Sequence, residues 1–172
     1  KKSVLGKILS INKKDGQFKI VSIGHRNPQG LAYYGDGYIF ETEHGPRGGD
    51  EFNIVKIDNV KNNNYGWPIS SYGEHVGFGN DLKKKNLMYQ KAPLYKSHKN
   101  HSFIEPIKVW TPGIGISEII KVPDDFSKSK NPILFISSLG GNIDEGDKTI
   151  HILQLDKELK KIIEEDRLVV NE

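Results

Sequence analysis

Apolar residues along this chain come in short runs, mostly β-branched or aromatic, and each run ends at Gly, Asn, Asp or Pro. That is how strands are spelled, rather than amphipathic helices. Three runs share the order apolar, apolar, polar, apolar, Asx: Ile8-Leu9-Ser10-Ile11-Asn12, Ile54-Val55-Lys56-Ile57-Asp58 and Ile152-Leu153-Gln154-Leu155-Asp156. The closing Asx suits a turn, because its side chain can accept from backbone amides just ahead. A second echo precedes the later two copies, where Phe40-Glu41-Thr42-Glu43-His44-Gly45 parallels Phe135-Ile136-Ser137-Ser138-Leu139-Gly140. Lys157 to Glu165 reads either as a short helix or as a turn at Asp156 leading to an outer strand through Leu168-Val169-Val170, and the repeat favours the strand.

The first two copies begin 46 residues apart and the third follows 98 later. A four-stranded propeller blade takes roughly 40–50 residues, so the pattern predicts an all-β, propeller-like chain with an insertion in the longer interval. Chance repetition within a generic all-β domain is the rival reading. Residues 59–104 supply the insertion: they are rich in Asn, Lys, Gly and Tyr and show little periodicity. Long irregular loops of this kind are commonly functional or mobile.

The 172 residues fit one domain, 1–172. At 35% hydrophobic and 27% charged, with 18 Gly, the composition supports a lean core with many turns. A net charge of +3 spread among 22 acidic residues, with only short runs such as Lys83-Lys84-Lys85, predicts solvated faces and no nucleic-acid partner. There is no cysteine, so disulfides and thiolate metal sites are excluded. No stretch approaches the ~20 apolar residues of a membrane helix, and no membrane partner is expected. The chain opens at Lys1-Lys2-Ser3 without Met, as a processed or truncated N-terminus would.

Candidate chemistry concentrates between Gly24 and Tyr72. Arg26, Asn27 and Gln29 surround Pro28; Arg offers a planar fork for carboxylates, and the amides add donors and acceptors. Such a loop suits a planar polyanion, although Arg26 could equally pair with a surface acid. Gly45-Pro46 presents consecutive carbonyls that need not belong to a ladder, a donor set that a hard cation such as Ca²⁺ accepts; a plain turn is the alternative. Gly48-Gly49-Asp50-Glu51 supplies flexible backbone followed by carboxylates, or simply a solvated strand start. It is no Walker loop, since no Gly-Lys-Ser/Thr follows.

In combination, GHRNPQGLA (Gly24–Ala32), EHGPRGGDE (Glu43–Glu51) and NYGWP (Asn64–Pro68) resemble the soluble pyrroloquinoline-quinone (PQQ)-dependent aldose dehydrogenases, the glucose/sorbosone dehydrogenase family, in order and spacing. Leu5-Gly6-Lys7-Ile8-Leu9 and the stretch from Lys108 to Asp156 share the likeness more weakly. The resemblance implies about two and a half four-stranded blades of a six-bladed β-propeller, and a quinone bridged to protein through Ca²⁺. By that likeness the carbonyls of Gly45 and Pro46 bind the ion, and Arg26, Asn27 and Gln29 hold the cofactor with His44 nearby. Glu51 and the Tyr65 carbonyl match positions of a second, structural Ca²⁺. The implied reaction is oxidation of an aldose at its anomeric carbon, with a general base removing the hydroxyl proton and hydride passing to the quinone. The family's members are commonly exported, implying a periplasmic or secreted protein.

Some of the family's parts are missing or changed. The catalytic His of the family belongs upstream of Lys1 and a pair of cofactor-binding arginines beyond Glu172; His25 matches another position of the motif. The chain alone is therefore expected to be inactive, as part of a longer protein, a split propeller completed by other blades, or a self-associating copy. Gly113 replaces a hydroxyl residue of the family, and Gly140 replaces its quinone-binding Lys, for which Lys148 beyond an Asn142–Asp147 turn could substitute. These departures keep open a non-catalytic, calcium-stabilised binding segment. His98 and His101 lack a third zinc ligand at suitable spacing and are expected to be exposed. Asn100-His101-Ser102 is a glycosylation triplet, meaningful only in a eukaryotic secretory setting. Trp67 and Trp110 are expected to pack between sheets, while Tyr72, Tyr89 and Tyr95 could line a sugar cleft.

Overall fold

The structure, a computed structural model, describes residues 3–58, 63–76, 87–140 and 148–170. The Lys83–Lys85 run and the Asn142–Asp147 turn lie outside those residues. Ten strands dominate the described chain. Strands β1 (Lys7–Ile11) and β2 (Phe18–Ile23) form an antiparallel pair. Strands β3 (Pro28–Gly35), β4 (Tyr38–Glu43), β5 (Asp50–Lys56) and β6 (Lys108–Trp110) form one four-stranded antiparallel sheet in sequential order. Strands β7 (Ile116–Lys121), β8 (Ile133–Ser138), β9 (Thr149–Leu155) and β10 (Ile162–Val169) form the second. Two four-stranded meanders and one further pair amount to two and a half blades, as the family resemblance implies.

The repeated runs occupy equivalent places. Ile54 and Ile152 sit on the third strand of their sheets, and they pair with Phe40 and Phe135 on the second strands, so both echoes share one register. The first run lies on β1. Two of the three closing Asx residues act as expected. Asn12 Oδ1 accepts from the Lys14 amide at 2.9 Å, and Asp156 Oδ1 accepts from the amides of Lys160 and Lys161 at 2.7 and 3.1 Å. The second of these turns starts the hairpin to β10, so Ile162–Val169 is a strand and not a helix.

Each face of the β3–β6 sheet is covered by a different neighbour. Phe40 and Phe52 point to the β7–β10 sheet and join Ile116, Ile119, Leu134, Ile136, Leu153 and Leu155 in the main core. Gly30 lets the two sheets approach: a Cβ there would lie 2.6 Å from the Ile119 nitrogen. Thr42 ties the same seam, its Oγ1 accepting from Gly30 and donating to the Ser117 carbonyl at 2.6 Å. The opposite face carries Ile39 and Val55, which pack with Ile8, Val21 and Tyr65 in a second core. The fully buried apolar side chains of the two cores are the main source of stability, at roughly 1.5–3 kcal/mol each before entropy is counted.

The insertion is irregular, as its composition implies, with a short helix α1 (Leu87–Lys91) and a 3-10 turn Lys99–His101. Its described residues are nonetheless seated on the sheet. Asn63, Tyr65, Ser70, Ser71, Leu94 and His98 are all buried. Asn63 Nδ2 donates to the Val21 carbonyl at 3.0 Å, and the Tyr65 hydroxyl donates to the Ile54 carbonyl at 2.8 Å. The insertion thus forms a wall of the site on the β4–β5 face.

Candidate functional site

Beyond Ile39 and Val55, the face of β4 and β5 that meets the insertion turns acidic. Antiparallel register sets Glu41 opposite Asn53 and Glu43 opposite Glu51, with all four side chains on one face. These residues are at most 4% exposed. Like charges placed across strands and removed from water repel, and Asn53 separates them. Its Nδ2 donates to Glu41 Oε2 at 3.0 Å and reaches Glu43 Oε1 and Glu51 Oε2 at 3.4 Å. Burial, with the Glu43 charge adding to it, still holds both Glu41 and Glu51 well above the usual carboxylate range.

The Gly24–Gly30 loop is hung from this face. Glu43 Oε2 accepts from the amides of Arg26 and Asn27 at 2.7 and 3.2 Å, and the Asn27 carbonyl accepts from the His44 amide at 3.1 Å. Arg26 lies across the loop, donating from Nη1 to the His44 carbonyl at 3.1 Å, with its guanidinium carbon 5.5 Å from the Trp67 ring centre. Asn27 and Gln29 are exposed, and Gln29 Nε2 turns back to the Pro28 carbonyl at 3.3 Å.

The Gly45–Asp50 turn is held by close packing and by one carboxylate. Arg47, Gly48 and Gly49 all have positive φ. A Cβ on Gly45 would lie 2.1 Å from the Gly48 carbonyl oxygen, so only glycine fits there. Asp50 accepts from the Gly45 amide at 3.2 Å and from the amides of Ile114 and Ile116 at 2.9 and 3.1 Å. This fixes the turn against the loop that carries Gly113. Neither Asp50 nor Glu51 is the solvated strand start that their charge suggests, since both are buried.

One cavity is lined by Arg26, His44, Gly45, Glu51 and Tyr65, together with Gly24, Glu43, Trp67, Ser70, Ser71 and His98. The structure therefore brings five of the eight candidate residues to one place. Asn27, Gln29 and Pro46 lie outside the lining. Oxygens of the kind that Ca²⁺ takes as ligands are present. Among the described residues nothing donates to the carbonyls of Gly45 or Tyr65, while the Pro46 carbonyl accepts from Glu74 at 2.6 Å and keeps one lone pair. Glu51 contributes a carboxylate 3.7 Å from His98 Nε2.

Some of these residues could not be anticipated from sequence. His98 is a correction to the expected exposed histidine. It is 1% exposed, bonded through Nδ1 to the Ile104 carbonyl at 3.1 Å and stacked on Tyr72, and burial lowers its pKa. His101 is exposed as expected and stacks on Tyr95. Trp110 packs in the core against His151, as expected, whereas Trp67 is half-buried beneath Arg26. Glu41, Glu43 and Asn53 carry a signal only in retrospect: alternate polar positions on two strands, opposite one another.

Comparison with known proteins identifies the family and the fold. The model of the Glucose / Sorbosone dehydrogenase family matches residues 5–172. Quinoprotein glucose dehydrogenase B of Acinetobacter calcoaceticus is 37% identical over 86 residues, which is 43% of this chain and 17% of that one. Aldose sugar dehydrogenase YliI of Escherichia coli is 28% identical, covering 94% of this chain and 38% of its own. A crystal structure of the soluble aldose sugar dehydrogenase of Escherichia coli superposes with a TM-score of 0.63 at 26% identity, over 94% of this chain and 44% of that one. The PQQ-bound aldose sugar dehydrogenase of Streptomyces coelicolor shares the fold at a TM-score of 0.53 and 23% identity, over 98% of this chain and 40% of its own. The chain thus spans less than half the length of these relatives. The repeat, the register and the family match together make this chain a β-propeller segment belonging to the glucose/sorbosone dehydrogenase family.

Proposed function

We propose that this chain forms the cofactor-facing blades of a PQQ-dependent aldose dehydrogenase, and that the whole propeller oxidises an aldose at its anomeric carbon. The observation that supports this best is the convergence of Arg26, His44 and Gly45 with Glu51 and Tyr65 about one cavity. When bound, the quinone supplies the hydride acceptor. The rest is positioning by this chain. The Gly45 carbonyl and the remaining lone pair of Pro46 offer oxygens for Ca²⁺. Arg26, stacked on Trp67 and braced by the His44 carbonyl, keeps its remaining N–H groups directed for a carboxylate. Glu51 and the Tyr65 carbonyl offer a second oxygen set. His25 is buried and bonded to Ser22, so it does not reach a sugar. The base belongs to blades beyond this segment, and completing the ring is the task of further blades or of a second copy.

A non-catalytic, calcium-stabilised segment is favoured by one observation. A Cβ on Gly113 would lie 3.0 Å from Asp50 Oδ1 and 3.1 Å from the Gly48 Cα, so this turn is packed for glycine where the family resemblance calls for a hydroxyl side chain. Calorimetric titration of the metal-stripped full-length protein separates the readings. Ca²⁺ uptake followed by Ca²⁺-dependent PQQ binding, lost in Arg26→Ala, is the expected result. Ca²⁺ binding without PQQ uptake would leave the calcium structural and sink the dehydrogenase reading.

A further inference from the structure

Beside the Arg26–Asn27 loop, next to the cavity that Glu43 and Tyr65 also line, His25 meets Glu41 and Glu43. The side chains of His25 and Glu41 are 0% exposed and that of Glu43 is 5% exposed. The imidazole is held from both sides, by Nε2 at 2.7 Å from Ser22 Oγ and by stacking on the Tyr65 ring at 4.7 Å. Its Nδ1 points at the carboxylates, 3.4 Å from Glu43 Oε1 and 3.9 Å from Glu41 Oε2, without a hydrogen bond to either. Glu41 Oε1 has no hydrogen-bond partner either. Buried polar atoms are nearly always satisfied, and two carboxylates out of water beside a bare imidazole nitrogen call for a neutralising group.

We propose that His25 Nδ1, Glu41 and Glu43 form a buried site for a divalent transition-series cation of the manganese or zinc class. The three ligand atoms lie within 4.8 Å of one another. Metal–ligand bonds of about 2.0–2.2 Å place ligand atoms about 3–4 Å apart, the separation at which His25 and the carboxylates stand. The +2 charge cancels the two carboxylates. The imidazole donor suits zinc and the two carboxylates suit manganese, whereas Ca²⁺ takes six to eight oxygens, so this site differs in chemistry from the calcium positions proposed at Gly45-Pro46 and Glu51-Tyr65. The outer shell is in place, with Ser22 on the second ring nitrogen and the Asn53 amide on both carboxylates. Glu43 gives the ion a consequence for function: Oε1 faces the ion while Oε2 holds the amides of Arg26 and Asn27, so the cation braces the loop proposed to hold the quinone.

The test uses the chelator-stripped full-length protein titrated with Mn²⁺, read by calorimetry and by pulsed EPR for nitrogen coupling. The expected result is one tight Mn²⁺ per chain with a histidine nitrogen signal. His25→Gln abolishes that signal and weakens binding by at least about 100-fold. Glu41→Gln, nearly isosteric, weakens Mn²⁺ comparably while the stripped variant still melts cooperatively, so the outcome does not depend on whether His25→Gln folds. Glu51→Gln retains both binding and nitrogen coupling. Absence of Mn²⁺ and Zn²⁺ uptake, or uptake that survives Glu41→Gln, or nitrogen coupling lost in His98→Gln but kept in His25→Gln, overturns the proposal. Failure of PQQ to bind while Mn²⁺ does would remove the dehydrogenase reading and leave this site standing.

Discussion

The Asp50 carboxylate accepts from three main-chain amides, those of Gly45, Ile114 and Ile116, and through them it joins the Gly45–Asp50 turn to the loop that leads into β7. Asp50→Asn keeps the shape but puts an amide where one of the two acceptor oxygens stood. A buried amide of the turn is then left without its partner. Hydrogen bonds to a charged acceptor contribute about 1.5–3 kcal/mol each, so the variant is expected to lose roughly 2–4 kcal/mol in urea unfolding. Its Ca²⁺ affinity should fall as the Gly45 carbonyl loses its fixed direction. An unchanged unfolding midpoint would show that Asp50 is dispensable to the turn. At this scale the sequence was readable where the candidate residues are contiguous: Arg26, Gly45 and Glu51 stand in unbroken motifs and meet at one cavity. Glu41, Glu43 and His98 were not readable. A glutamate on a strand or a histidine in a polar loop is ordinarily solvated, and only the pairing partner and the covering wall make these three buried.

Strand pairing decides what each element presents. On β4 and β5 one set of alternate residues is Phe40, Phe52 and Ile54, and the other passes from Ile39 and Val55 to Glu41, Asn53, Glu43 and Glu51. The period-2 pattern was visible in the sequence, but the strands lie between two packed layers, so the polar set is buried as fully as the apolar one. The insertion was legible as irregular and illegible as a wall, because its anchors are isolated residues without period. One anchor is electrostatic. Glu105 accepts from the Lys99 amide at 2.7 Å and from the Tyr72 hydroxyl at 2.5 Å, bridging the two ends of the Tyr72–Glu105 segment. Partial burial acts to raise its pKa, but the Lys99 amide, the Tyr72 hydroxyl and the nearby His98 outweigh this and hold the carboxyl below its usual value. A carboxylate depressed in the folded state stabilises above its unfolded pKa of about 4.3 and loses that contribution as pH falls through the lower folded value. The protection factor of the Lys99 amide, the free-peptide exchange rate at each pH divided by its own, is therefore expected to fall on acidification below about pH 4.3, and Glu105→Gln should remove that pH dependence. Equal acid sensitivity in the variant would assign the loosening to another group.

The two sheets pack face to face, which leaves each with one side to be covered by something else. The β3–β6 sheet has its second side covered by β1, β2 and the insertion. For the β7–β10 sheet the second side carries Ile120, Phe135 and Ile152, aligned across three strands by register, with Phe126 meeting Phe135 edge to face at 6.3 Å. Ile120 is 51% exposed and Phe126 71%. At the rim, β10 exposes Ile163, Leu168 and Val169 beside Glu164, Glu165, Asp166 and Arg167. Among the described residues no element lies over that row. The repeat made this foreseeable: blades of a propeller bury their apolar faces against neighbours, and a partial ring leaves a face of the same character as the buried seam. The 172-residue chain expressed alone is therefore expected to sediment as a species larger than a monomer and to bind a hydrophobic dye. Replacing Phe135 and Ile152 with Thr should shift it toward monomer, since two side chains of that row together supply roughly 3–6 kcal/mol of transferable burial. A wild-type chain that sediments as a monomer with a single cooperative melt and no dye binding would show that the two and a half blades close their own surface, and that the Ile120–Phe135–Ile152 row requires no neighbour.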